Sequence, residues 1–136
     1  MPIHVQWDRE DPTIIRTTFV GAWQWTDYEK AIDEILRLCE PVTHRVDMIT
    51  DLTEAGDFPE GVATPHILRF RTNKPPTFGL LINPSLYTQT MIDTANFLTR
   101  TRSDPSIIAQ NLAHAREIIS ESRSGDTNDT HTSEGT

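Results

Sequence analysis

Apolar and polar residues alternate along the opening stretch, with Ile3, Val5 and Trp7 set against His4 and Gln6. A turn-forming DREDP follows, then a β-branched run that includes Ile14, Ile15, Phe19 and Val20. The pattern predicts a β-hairpin. After Gly21 the period lengthens: Tyr28, Ala31, Ile32, Ile35, Leu36 and Cys39 recur at helical spacing until Pro41 stops the run, which predicts a first helix over about residues 26 to 39. Thr26 and Glu29 have the spacing of a capping box at its start. Val46 to Thr50 reads as a short interior strand, and DLTEAGDFPEG after it reads as a loop. Thr64 and Pro65 open a second helix running toward Asn73. The apolar TFGLLI is a buried fourth strand, and Asn83 with Pro84 repeats the cap-then-proline signal before a third helix carrying Tyr87, Met91, Ala95 and Leu98 on one face. A short SIIA strand and a helix from Asn111, with Leu112, Ala115, Ile118 and Ile119 apolar, complete the order ββαβαβαβα.

That order predicts an α/β domain over residues 1–119, built on a mixed, mostly parallel five-stranded sheet with an N-terminal hairpin and about four helices. From Ser120 the sequence SESRSGDTNDTHTSEGT holds no large apolar residue. Ordering it would cost chain entropy with nothing to bury, so residues 120–136 are expected to form a disordered polar tail.

Composition narrows the class. The 136 residues are 36% hydrophobic, enough for one continuous core. A net charge of −8 and a pI near 4.9 oppose nucleic-acid phosphates and anionic membranes. No apolar run approaches the roughly 18 residues of a bilayer span, and MPIHVQWD lacks a basic region followed by an apolar stretch, so neither membrane insertion nor secretion is expected. One cysteine, Cys39, sits among Ile35, Leu36 and Leu38 and reads as a small buried hydrophobe, which fits a reducing cytoplasmic setting.

Parallel sheets bind ligands outside the carboxyl ends of their strands. That edge comprises Gly21 to Trp25, Asp51 to Gly61, Asn83 with Ser85, and Gln110 with Asn111. Helix N-termini there favour an anion, but Asp51, Glu54 and Asp57 oppose one, and no glycine spacing marks a phosphate cradle. The five histidines lack metal-ligand spacing and read as surface or cap residues. Ser85 and Ser106 read as caps, since no GxSxG elbow surrounds them. Asp47 and Asp51 share a strand face but lie roughly 13 Å apart, too far for a coupled acid pair. Asp51 is the carboxylate best placed for a functional role, with a turn-forming, backbone-bonded aspartate as the alternative. Arg69, Arg71 and Lys74, and Arg100 with Arg102, fit the negative ends of helix dipoles. No catalytic residue, metal site or cofactor is expected, and so no enzyme.

GAWQWTDYEKA leading into the first helix, VDMITDL at the third strand, and the terminal SIIAQNLAHAREII together resemble the STAS domains. They resemble more closely the SpoIIAA-like (STAS/SEC14-type) small bacterial proteins, over about residues 3 to 119. The resemblance implies a non-catalytic module that binds a protein partner or a small apolar ligand. Anti-sigma factor antagonists of this family carry a phosphorylatable serine after the third strand. Here Asp57, Phe58, Pro59, Glu60 and Gly61 stand at that place, with Thr53 and Thr64 the nearby hydroxyls, so that switch is not carried over.

Three readings result: a cytoplasmic STAS-like interaction or regulatory module contacting partners through the loop after the third strand and the neighbouring helix faces, a binder of a small apolar or amphipathic ligand, or, least favoured, a small enzyme whose residues converge only in space. The candidate binding residues are Trp23, Trp25, Asp51, Thr53, Phe58 and Asn83. Within this set Trp23 is expected to cover the core, whereas Trp25, just before the expected cap Thr26, is expected to form contact surface. A homodimer stays open, because Tyr87, Met91 and Phe97 do not all fit one face of the third helix.

Overall fold

The structure, a computed structural model, describes residues 2–57, 59, 78–99 and 107–135. The expected second helix, Thr64 to Asn73, and the candidate Phe58 lie outside the described residues. The described elements are β1 (Ile3–Trp7), β2 (Ile14–Gly21), α1 (Trp25–Cys39), β3 (Asp47–Ala55), β4 (Phe78–Ile82), α2 (Leu86–Thr99), β5 (Ile108–Ala109) and α3 (Leu112–Gly135). The five strands form one sheet in the order β1-β2-β3-β4-β5. The first pair is antiparallel and the rest are parallel, so the molecule is α/β with a mixed sheet, as expected.

Strand alternation sorts the core into two sides. On one side α1 packs Ala31, Ile32, Ile35 and Cys39, all buried, toward residues that include Ile3, Ile15, Phe19 and Met48. On the other, Ala115 and Ile119 of α3 cover Ile14, Ile49, Leu80, Ile82 and Ala109. Each fully buried aliphatic side chain there contributes about 1.5–3 kcal/mol relative to exposure. Burial also pushes the Cys39 thiol above its ordinary pKa, which makes it a packing residue rather than a thiolate nucleophile.

Helix α1 begins earlier than its sequence suggests. Gln24 is the N-cap, and its backbone N–H donates to Asp27 Oδ2 at 2.9 Å, so Gln24 and Asp27 take the place expected for Thr26 and Glu29. Helix α2 likewise is capped by Ser85 rather than Asn83: Ser85 Oγ accepts from the Thr88 amide at 3.1 Å.

The largest departure is at the C-terminus. The boundary expected at Ser120 falls inside α3, which runs to Gly135. Polar contacts take over where apolar ones end. Arg116 grips buried Asp8 with two hydrogen bonds, of 2.8 and 2.7 Å. Arg123 Nε donates to Asp47 Oδ2 at 2.8 Å and its Nη1 to Asp11 Oδ2 at 3.2 Å. Arg45 completes the cluster, with Nε 3.0 Å from Asp47 Oδ1 and Nη2 3.4 Å from Ser122 Oγ. These contacts tie α3 to the amino-terminal edge of the parallel strands through charge-assisted bonds.

Candidate functional site

The carboxyl edge is shaped by an irregularity between β2 and β3. Thr18 pairs with Asp51, but Val20 pairs with Glu54, so β3 advances three residues while β2 advances two. This is a β-bulge at Leu52 and Thr53. The extra residue resets the alternation, and Leu52 and Ala55, three apart, both pack against the cluster that holds Trp23 and Trp25. Immediately beyond, the Gly56 amide donates to Gly21 O at 2.8 Å. Gly21 has φ +71°, a left-handed conformation that glycine adopts without strain.

Three of the six candidate residues converge at the bulge. Asp51 Oδ1 accepts from the Thr53 amide at 2.9 Å and from the Thr53 hydroxyl at 2.6 Å. Asn83 Nδ2, reaching over from the end of β4, donates to Thr53 Oγ1 at 3.0 Å. Asn83 holds φ 49°, a left-handed conformation that asparagine tolerates better than most residues. The same carboxylate-to-threonine turn occurs at the opposite edge, where the Thr13 amide and hydroxyl both donate to Asp11 Oδ1. Its recurrence inside the arginine-carboxylate cluster marks it as a turn-forming unit, the alternative reading of Asp51 given above.

The two tryptophans belong to the core cluster against which Leu52 and Ala55 pack. Trp23 and Trp25 are 5% and 8% exposed and meet edge to face with centroids 5.1 Å apart. Tyr28 closes on Trp25 at 5.4 Å and Phe19 on Trp23 at 5.0 Å. Trp23 is a core residue, as expected. The expectation that Trp25 forms contact surface is corrected: as the first helical residue rather than the one before a cap, it turns onto Trp23.

A groove of about 340 Å³ opens beside the turn. Leu52, Ala55, Gly56 and Asp57 line it from the end of β3, and Ser85, Tyr87 and Thr88 from the start of α2. Next to it Leu86 is 79% and Tyr87 61% exposed. Tyr87, expected on the apolar face of its helix, is thus exposed together with Leu86. The signal was present in the adjacent Leu86-Tyr87 pair, which cannot share one face of a helix. Ser85 is occupied as a cap, with its Oγ also 2.9 Å from Thr88 Oγ1. His114 is likewise a cap residue, its Nδ1 accepting from the Gln110 amide at 3.1 Å. Among the described residues no group of three or more His, Cys, Asp or Glu is placed to hold a metal ion, and no helix is long and apolar enough to cross a membrane.

No protein-family model matches this chain, and a search of curated proteins finds no match.

Proposed function

We propose that this chain is a non-catalytic, STAS-like interaction or regulatory module of the bacterial SpoIIAA-like type, working in the cytoplasm. Its contact surface is the carboxyl edge of the sheet around the Asp51–Thr53–Asn83 turn and the first turn of α2. The observation that carries the reading is the exposure of Leu86 and Tyr87 beside an open groove, since large apolar side chains presented together at a sheet edge favour association. The order of the described elements, ββαβ followed by βαβα, supports the family reading. At this edge the polar side chains hydrogen-bond one another in a turn, which favours binding over catalysis.

The test is quantitative affinity capture from a lysate of the source organism, comparing wild-type protein with Asp51→Ala/Thr53→Ala and with Tyr87→Ser, each first shown to fold by circular dichroism. A partner present with wild type and lost with both variants is the expected result. An identical partner set for all three proteins overturns the assignment of this edge.

A second reading, a small apolar or amphipathic ligand, draws on the groove volume of about 340 Å³, at the lower end of small-molecule pockets. Native mass spectrometry of freshly purified protein tests it, and repeated recovery of empty protein would overturn it.

A further inference from the structure

Charge is divided between the two edges of the sheet. At the amino-terminal edge Arg45, Arg116 and Arg123 are engaged with Asp8, Asp11 and Asp47. Among the described residues of the carboxyl edge, 21–28, 51–57, 83–88 and 110–112 carry Asp27, Asp51, Glu54 and Asp57 and no lysine or arginine. The groove opens on this acidic edge, with Asp57 in its wall, Leu52 and Ala55 offering apolar surface, and Leu86 and Tyr87 exposed alongside.

From this juxtaposition we propose that the groove docks a basic, apolar segment of a partner protein. One aliphatic or aromatic side chain of the partner sits between Leu52, Ala55 and Tyr87, while a flanking lysine or arginine lies over Asp57. The inference rests on the interaction-module reading and adds the chemistry of the partner. An acidic rim raises the encounter rate of a cationic segment and repels acidic ones, and an apolar anchor supplies the area that exposed ion pairs alone do not. The same field repels nucleic acid and anionic lipid surfaces.

A phage-displayed random peptide library panned against the full chain tests the proposal, with enriched peptides synthesised and titrated at low and high salt. The expected peptides combine lysine or arginine with a large apolar residue and shift the backbone amides of Leu52 to Asp57 and Ser85 to Thr88 in nuclear magnetic resonance spectra. Their affinity falls at high salt and drops about tenfold in Asp57→Lys. Tyr87→Ser weakens them as well; Asp57 and Tyr87 are both exposed, and unchanged amides far from the groove verify that each variant keeps the fold. Peptides that shift the same amides but are acidic or uncharged overturn the basic partner while leaving the contact surface in place. Peptides that bind elsewhere, or a failure to enrich any, overturn both. Self-association in sedimentation velocity that disappears in Tyr87→Ser overturns the proposal in favour of a second copy of the chain.

Discussion

Arg123 and Asp47 lie 76 positions apart in sequence and meet at 2.8 Å, Nε to Oδ2. Asp47 is the first residue of β3 and is fully buried, so the contact fastens the helix that covers one face of the sheet to the strand at the sheet's centre. Arg123→Ala is expected to cost about 2 kcal/mol: less than the 3–5 kcal/mol of an orphaned buried charge, because Arg45 still pairs with Asp47 and Arg123 is itself partly exposed. Urea denaturation measures it. Truncation after Ser124 should leave stability nearly unchanged, whereas truncation after Ile119 should cost at least as much as Arg123→Ala.

Acid should loosen the same cluster. The Arg116 guanidinium holds the Asp8 carboxyl below its ordinary value, aided by the Asp11 amide and offset in part by burial. Burial pushes Asp11 up, but the Thr13 hydroxyl and amide together with Arg123 outweigh it and leave Asp11 lowered. A depressed carboxylate means that the native state binds fewer protons than the unfolded chain, so its contribution is complete above the ordinary value of 3.8 and is lost as pH falls from there through the lowered native value. Thermal melts should change little on this account from neutral pH to about pH 5 and fall below pH 4. Asp8→Asn should flatten the acid limb, and an unchanged limb would remove Asp8 from the explanation.

Gly56→Ala is expected to be the more damaging of two glycine substitutions. A Cβ at Gly56 would lie 2.8 Å from Gly21 O and 2.9 Å from Gly21 C, both backbone atoms that cannot swing aside. A cost of about 1–3 kcal/mol is expected. Gly21→Ala meets no atom within 4 Å and should cost about 1–2 kcal/mol from its positive φ alone. Chemical denaturation separates the two.

Trp25→Ala should destabilise the fold about as severely as Trp23→Ala, each by about 3–5 kcal/mol, because both indoles are buried and stack edge to face. Equilibrium unfolding followed by circular dichroism, which does not depend on the deleted fluorophore, provides the comparison. A Trp25→Ala protein as stable as wild type would restore Trp25 to the contact surface.

Hydrophobic periodicity located the described strands and helices, because burial on one face imposes a two-residue or a 3.6-residue repeat whatever the neighbours are. But it ended the third strand at Thr50 and made DLTEAGDFPEG a loop, whereas β3 runs on to Ala55 in pairing with Thr18, Val20 and Gly21 of β2. It was weaker at the helix starts. Gln24-Asp27 and Thr26-Glu29 are both plausible cap pairs by spacing, and the earlier start turns Trp25 onto Trp23. Within the candidate site, Asp51, Thr53 and Asn83 were named from the carboxyl-edge rule, and the structure joins them by hydrogen bonds. Their joining depends on a β-bulge, which adds one residue without disturbing the local composition and so leaves no clear trace in the pattern.

By itself the chain determined its α/β class, its mixed sheet with an N-terminal hairpin and the core role of Trp23, all of which follow from local spacing and apolar burial. Tertiary structure alone decided that Trp25 is buried, that Leu86 and Tyr87 stand exposed beside a groove, and that α3 continues past Ser120. The last of these shows the reason most directly. Asp47, which is buried, and Asp11, which is partly exposed, are brought beside Arg123 by the sheet and the first turn, and such long-range charge pairing is invisible to any local window.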